Sequence, residues 1–196
     1  MNGIKKLFTL FLAGIMMFSG SLLFNNNAFA ARYTAYANRG TGYYYSQAGW
    51  WSTSNRNGCG ITAFAIAASV LYGKRITPRK TAEVAYRRGY WNLKGNTPVS
   101  LTKKLASASG LKYGTVSKNW KSILAALSKG KVLVIRSHGS LPFTSGGHYI
   151  TVVGARSDGY FKIVDPGHRA YRPKWIYYST FMRTMTSSTT IFALSR

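Results

Sequence analysis

Cys59 is the only cysteine in the chain, and it lies in an Asn-Gly-Cys-Gly segment at 57–60, directly before a long apolar run over 61–72. A single cysteine cannot form an internal disulfide and is too few for a cysteine-based zinc site. The run has helical composition, and a helix N-terminus would offer free N–H groups and partial positive charge that favour thiolate over thiol. Cys59 is therefore a candidate nucleophile. The alternative is a small buried apolar side chain, as most free cysteines are.

His148 and Asp165 lie at the ends of two predicted strands that form a hairpin. His148 opens a strand predicted over 149–153, and Asp165 ends a return strand predicted over 160–164, after a Ser-Asp-Gly turn signal at 157–159. A thiol nucleophile needs a base that reaches it and a third group that holds the imidazole in the right tautomer. These two residues are the candidates for those roles.

The expected hairpin register makes His148 and Asp165 near neighbours on one face. If Ala155 and Tyr160 close the loop, Asp165 lies opposite Ile150, which shares a face with His148 because side chains alternate along a strand. A shorter loop over Asp-Gly keeps the same parity, whereas a β-bulge would break it. The alternatives are a hydrogen-bonded histidine at a strand end and an aspartate that caps a turn.

An acyl-transfer site also needs hydrogen-bond donors for the oxyanion. The backbone N–H of Cys59 is one candidate. Gln47 is the only glutamine in the chain, and its side chain could supply a second donor from the upstream loop. Asn55 and Asn57 are alternatives, and a surface glutamine without a catalytic role is the other interpretation.

The N-terminus has the pattern of a secretory signal peptide. Two lysines precede an apolar run over 7–24, and a small-x-small cleavage site follows at 28–30. Removal of residues 1–30 is expected, with a retained membrane anchor as the alternative. The mature part would have 196 − 30 = 166 residues, which suits one domain. We expect a Tyr/Gly-rich arm over 31–46 and a single domain over 47–196.

The charge is strongly basic, with a formal net charge of +24 and three acidic residues, Glu83, Asp158 and Asp165. Without the two lysines of the signal peptide, the mature charge is 24 − 2, or +22. Such a surface attracts polyanions. The scarcity of carboxylates argues against a paired-carboxylate glycosidase and against a calcium or magnesium cage. Nucleic-acid binding is disfavoured by the predicted export and by basic residues that are spread along the chain rather than clustered in a known motif.

Local signals predict helices in the first half of the chain and an antiparallel sheet in the second, which is an α+β domain. Thr-Pro pairs at 77–78 and 97–98 are typical of a helix N-cap followed by proline at the first helical position. We expect helices over 59–71, 78–88, 98–109 and 120–128, and strands over 113–116, 132–135, 149–153, 160–164 and 189–194.

Four sequence blocks resemble, in the same order, those of the peptidase C39-like family. They are Gly-Cys-Gly-Ile-Thr-Ala at 58–63, Gly-Lys-Arg-Ile-Thr-Pro at 73–78, Gly-Gly-His-Tyr-Ile-Thr-Val-Val-Gly at 146–154 and Val-Asp-Pro at 164–166. The family consists of papain-type cysteine peptidases related to the peptidase domain of bacteriocin exporters. The resemblance covers the chain from about Gln47 to the C-terminus.

The resemblance implies a papain-like fold, with N-terminal helices packed on an antiparallel sheet. It implies that Cys59 is the nucleophile, His148 the base and Asp165 the orienting residue. Gln47 would donate to the oxyanion, and no metal or other cofactor is expected. Substrate contacts are expected from Trp50, Trp51 and Gly147.

These observations lead to the hypothesis of an exported cysteine peptidase or amide hydrolase that acts on peptides or peptidoglycan stem peptides. The expected location is outside the cell or at the cell wall of a Gram-positive bacterium, with anionic wall polymers as further partners. The alternative is a non-catalytic cationic binder of anionic wall polymers or membrane surfaces on the same fold. Its support is the basic charge and the aromatic residues of the arm.

Overall fold

The computed structural model describes residues 43–48, 57–138, 146–156, 158–167 and 174–196. The expected signal peptide, most of the expected arm, and Trp50 and Trp51 lie outside these ranges. None of the described helices is long and apolar enough to cross a membrane.

The first two helices begin and end close to the predicted positions because their signals are local. Helix α1 is Cys59–Tyr72, and it ends at Gly73, whose φ of 63° is a left-handed conformation that glycine adopts without strain. Helix α2 is Pro78–Arg87. The Thr77 hydroxyl caps α2 by accepting a hydrogen bond from the third residue of the helix at 3.3 Å.

The third helix, α3 (Leu101–Ala108), begins three residues later than the Thr97-Pro98 pair predicts. The Thr97 hydroxyl does not cap this helix, because it donates a hydrogen bond of 2.7 Å to the carbonyl oxygen of Asn57. Pro98 instead opens a turn, and its carbonyl oxygen accepts from the Leu101 N–H at 3.1 Å. A contact between residues 40 positions apart has therefore overridden a local capping signal.

The described strands form one antiparallel sheet in the order β1-β6-β2-β3-β4-β5. The strands are β1 Lys112–Thr115, β2 Val132–His138, β3 Gly147–Ala155, β4 Tyr160–Val164, β5 Lys174–Tyr177 and β6 Thr190–Ser195. Two further helices are α4 (Trp120–Ser128) and the short α5 (Tyr178–Met182). The prediction of an α+β fold with helices on an antiparallel sheet is confirmed. Strand β5 and helix α5 were not predicted, because segments of four and five residues carry too little periodicity.

Two hydrophobic clusters cover the two faces of the sheet, since alternate residues of β2 and β3 belong to different clusters. Helix α1 packs on one face, and twelve of its other residues are buried with Cys59. The Thr151 hydroxyl of β3 donates to the carbonyl oxygen of Ala63 in α1 at 2.8 Å, which ties this helix to the strand that carries His148. Helices α4 and α5 contribute to the other cluster, where the rings of Phe161 and Phe181 meet edge to face.

Candidate active site

Cys59 is the first residue of helix α1 and is 7% exposed. Its loop is held by Thr97, which bonds to the Asn57 carbonyl oxygen as described above. Thr97 also packs against the backbone of Gly60, so closely that a Cβ at Gly60 would overlap the Thr97 side chain. The Gly-Cys-Gly segment therefore needs a residue without a side chain after the cysteine, and the thiol is fixed at the N-terminus of α1.

His148 and Asp165 form a buried pair, with 2.6 Å between His148 Nε2 and Asp165 Oδ1. His148 is 6% exposed and Asp165 is 2% exposed. A carboxylate only accepts hydrogen bonds, so Nε2 carries the proton and Nδ1 remains for the thiol side. The backbone N–H of Gly167 donates to the same Asp165 oxygen at 2.7 Å and helps to hold the carboxylate in place.

The register that brings this pair together is the predicted one, although it arises differently. Ala155 pairs with Phe161 rather than with Tyr160, so the register at the turn differs by one residue from the expected one. A bulge between Val152 and Gly154 then shifts the register back, and Thr151 pairs with Val164. Continued by one residue, this pairing puts Asp165 opposite Ile150. The bulge offsets the difference at the turn, and His148 and Asp165 still meet.

Cys59 acts on the pKa of His148 from the start of α1. Burial lowers this pKa, but Asp165 and Cys59 raise it by more, through side-chain hydrogen bonding and negative charge, to about 9. The imidazole is therefore protonated at neutral pH. A protonated histidine is equipped to give its proton to a leaving amine.

Gln47 lies at the Asp165 end of the site. Its backbone N–H donates to the Pro166 carbonyl oxygen at 2.8 Å. In the same segment, burial raises the pKa of Tyr44, and the negative charge of Asp165 raises it further. Tyr45, two residues before Gln47, is buried, and its hydroxyl lies 3.2 Å from the Ser69 hydroxyl of α1. The segment 43–48 thus packs against both α1 and the loop after β4.

Sequence reasoning missed three residues around the site. Thr97 holds the loop before the nucleophile, as described. Burial raises the pKa of Tyr149, Arg136 lowers this pKa, and the charge of Cys59 raises it. The Tyr149 hydroxyl lies 3.5 Å from the Thr97 carbonyl oxygen. A Cβ at Gly167 would lie 3.0 Å from His148 Cε1. An Asp-Pro-Gly turn was the available signal for Gly167, whereas Thr97 and Tyr149 act through contacts distant in sequence.

The residues predicted to contact the substrate are Gly147, Trp50 and Trp51. Gly147 is exposed and is the first residue of β3, directly before His148. Trp50 and Trp51 lie outside the described residues. Within the described ranges, no three His, Cys, Asp or Glu side chains are grouped so that they could hold a metal ion.

An α+β fold in which a helix that begins at a cysteine packs on an antiparallel sheet carrying a buried histidine–aspartate pair belongs to the papain-like class of cysteine peptidase folds. The profile of the Peptidase_C39 like family matches residues 22–188, and the chain belongs to this family. Its family and its fold are thus those of peptidases. No curated protein matches the sequence.

The chain is similar to several solved structures at low sequence identity. A putative C39-like peptidase from Bacillus anthracis is 14% identical, with a TM-score of 0.55 over 78% of this chain and 94% of that one. The peptidase domain of Streptococcus ComA, a bifunctional ABC transporter of a quorum-sensing pathway, is 14% identical, with a TM-score of 0.49 over 71% of this chain and 93% of that one. A double glycine motif protease from an AMS/PCAT transporter, in complex with the leader peptide, is 16% identical, with a TM-score of 0.47 over 70% of this chain and 84% of that one.

Proposed function

We propose that this protein is an exported cysteine peptidase that hydrolyses amide bonds in peptides or in peptidoglycan stem peptides. The observation that carries the proposal is the buried His148–Asp165 pair, 2.6 Å apart, whose histidine has its pKa raised by Asp165 and by Cys59 at the start of α1. A nucleophile, a base in contact with it and a third group that orients the base are the parts of a catalytic triad.

In the first step, the Cys59 sulfur attacks the carbonyl carbon of the scissile amide and a C–S bond forms. The amide C–N bond then breaks as the His148 imidazolium gives its proton to the leaving amine. A thioester remains on Cys59. In the second step, neutral His148 takes a proton from water, the hydroxide attacks the thioester, and the thiolate and the carboxylic acid product are released. Asp165 holds the imidazole in one tautomer through Nε2 in both steps.

The negative oxygen of each tetrahedral intermediate needs donors. The N–H groups in the first turn of α1 have no carbonyl partner within the helix, because its first backbone bond runs from the Thr62 N–H to the Gly58 carbonyl oxygen at 3.0 Å. The Cys59 N–H is the nearest of these groups to the reacting carbon. We assign the second donor to the Gln47 side chain, whose backbone is anchored beside Asp165 through Pro166.

The substrate proposal rests on charge and export. A formal net charge of +24 draws the protein to anionic polymers, and the N-terminal pattern of a signal peptide sends it out of the cell. Peptide bonds in an anionic wall match both features. The substrate would contact Gly147, which precedes His148, and also Trp50 and Trp51.

The decisive test uses the full chain and its Cys59→Ala variant with purified peptidoglycan and with a peptide library, read by mass spectrometry. New amine and carboxylate termini are expected with the wild type and with the control Glu83→Gln, whose carboxylate pairs with the exposed Arg79 on α2. The Cys59→Ala protein should form none. Cleavage by Cys59→Ala would contradict the proposal, because this variant contains no thiol.

A non-catalytic binder of anionic wall polymers is the competing function, and the net charge favours it. Alkylation of the single thiol separates the two hypotheses. An activated Cys59 reacts rapidly with a mild alkylating agent at neutral pH, and His148→Ala should slow the reaction. A thiol that stays inert in the native protein would favour the binder.

A further inference from the structure

A pocket lies at the far end of the β3–β4 hairpin from His148. Its cavity of about 300 Å³ is surrounded by the turn that joins the two strands and by aromatic residues of α4, β5 and α5. We call it the turn pocket. The residues that matter for its chemistry are Trp120, Arg156, Asp158, Gly159, Tyr177 and Tyr178.

The turn pocket is separate from the candidate active site. His148 and Arg156 are eight residues apart along β3, which at about 3.3 Å per residue is about 25 Å. Phe161, in the wall of the pocket, belongs to the hydrophobic cluster on the sheet face opposite α1. A ligand in the turn pocket would therefore not touch Cys59, and its binding does not depend on the proposed function.

The walls of the pocket are aromatic rings that remain open to solvent. Trp120 is 41% exposed and Tyr177 is 42% exposed. Their rings are joined through Tyr178, with centroid distances of 5.5 Å from Trp120 to Tyr178 and 4.8 Å from Tyr177 to Tyr178. Large rings that are half exposed around a cavity provide a stacking surface, and Lys121 Nζ lies 6.0 Å from the centroid of the Trp120 ring.

The rings are held against the turn, so the surface is preformed. Gly159 has a φ of +88°, and a Cβ there would lie 3.0 Å from Tyr177 Cε2 and 3.1 Å from Tyr178 Cδ1. The Tyr178 N–H donates to the Gly159 carbonyl oxygen at 2.8 Å. A ligand would thus pay little conformational entropy to order these side chains.

The polar rim of the pocket is an ion pair between Arg156 and Asp158. The Arg156 guanidinium is fixed further by the rings of Tyr160 and Trp175, whose centroids lie 5.1 Å and 5.5 Å away. The guanidinium only donates hydrogen bonds and the carboxylate only accepts them. The rim therefore offers a donor and an acceptor side by side, next to aromatic faces.

We propose that the turn pocket binds a polysaccharide through one or two uncharged pyranose rings. The apolar C–H faces of the rings stack on Trp120 and Tyr177, and neighbouring hydroxyls, which both donate and accept, bond to Arg156 and Asp158. The volume is at the lower end of ligand pockets, which suits a short saccharide segment.

The charge of the rim argues against other ligand classes. Among the described residues that line the pocket, Arg156 is the only cation, and it is already paired with Asp158. A nucleic acid or another polyanion would meet the Asp158 carboxylate and find no further cation in the pocket. A quaternary ammonium group would be repelled by Arg156. An uncharged ligand with hydroxyl groups fits both members of the pair.

The test is a calorimetric titration of the full chain with three neutral tetrasaccharides, of β-linked N-acetylglucosamine, β-linked glucose and α-linked glucose. At least one should bind, and Trp120→Ala and Tyr177→Ala should each weaken binding about tenfold. Tyr86→Ala removes a 57% exposed tyrosine from α2 and is the matched control, with unchanged binding expected. Cys59→Ala should bind as tightly as the wild type, which separates this test from that of catalysis.

Salt distinguishes the turn pocket from general attraction to a basic protein. Binding of a neutral tetrasaccharide should persist at about 0.5 M salt, where exposed charges are screened. The proposal would be overturned if none of the three sugars bound. It would also be overturned if both ring variants, shown by circular dichroism to be folded, bound as tightly as the wild type. If either variant fails to fold, Asp158→Asn supplies the same comparison at the exposed rim. Stronger binding of an oligonucleotide or a proline-rich peptide at the same residues would overturn the ligand class.

Discussion

Replacing Asp165 by asparagine removes a negative charge from His148 while it preserves the shape of the side chain. The asparagine oxygen still accepts from His148 Nε2 and from the Gly167 N–H, so the substitution tests charge rather than geometry. Burial alone lowers the pKa of His148, and Asp165 contributes to raising it to about 9. We expect the Asp165→Asn change to lower this pKa towards its ordinary value of 6.5.

The magnitude follows from linkage between protonation and folding. The difference between about 9 and 6.5, at about 1.4 kcal/mol per pH unit, corresponds to about 3 kcal/mol of folding stability. Because the pKa is raised on folding, this stability is fully present below about pH 6.5 and is lost as the pH rises through about 9. Cys59 supplies part of this folding stability. We therefore expect Asp165→Asn to lower the free energy of unfolding by at least about 1.4 kcal/mol near pH 6, and by little near pH 10.

Two measurements check this prediction. An NMR titration of the His148 ring reports its pKa in the wild type and the variant, and urea unfolding near pH 6 and near pH 10 reports the stability difference. Asp158→Asn makes the same chemical change in an exposed carboxylate at the other end of β4 and should leave the His148 titration unchanged. An unchanged His148 pKa in Asp165→Asn, or an equal loss of stability at both pH values, would refute the reasoning.

Two further predictions concern residues that position the site. Gly167→Ala puts a Cβ 3.0 Å from His148 Cε1, so the imidazole must shift, and alkylation of the single thiol should slow by about tenfold. The control Gly114→Ala, with nothing within 4 Å of its Cβ, should leave the alkylation rate unchanged. Unaltered alkylation in Gly167→Ala would mean that the ring position does not govern the thiol. Thr97→Val keeps the shape of the side chain but removes its hydrogen bond to the Asn57 carbonyl oxygen, and urea unfolding should show a loss of about 1 kcal/mol. No loss of stability in Thr97→Val would show that water replaces the bond.

Elements with local signals were predicted nearly to the residue. Helix α4 begins after Asn119, whose side chain accepts from the Ser122 N–H at 2.9 Å, and it spans the predicted 120–128. Strand β4 likewise spans the predicted 160–164. Caps, glycines and β-branched runs act within a few residues, so they can be identified in sequence. The start of α3 was missed because the Thr97 hydroxyl has a partner 40 residues away.

The sequence by itself determined which side chains are available for chemistry: one thiol, few carboxylates, and a histidine and an aspartate whose alternation on adjacent strands puts them on one face. Only the tertiary structure decided how they meet. The bulge in β3 compensates for a pairing at the turn that differs by one residue from the expected register. The burial that lowers the pKa of His148, and the Asp165 and Cys59 interactions that raise it to about 9, depend on how the strands and α1 pack together. Such contacts join residues distant in sequence, and their burial and charge become defined only when the chain has folded.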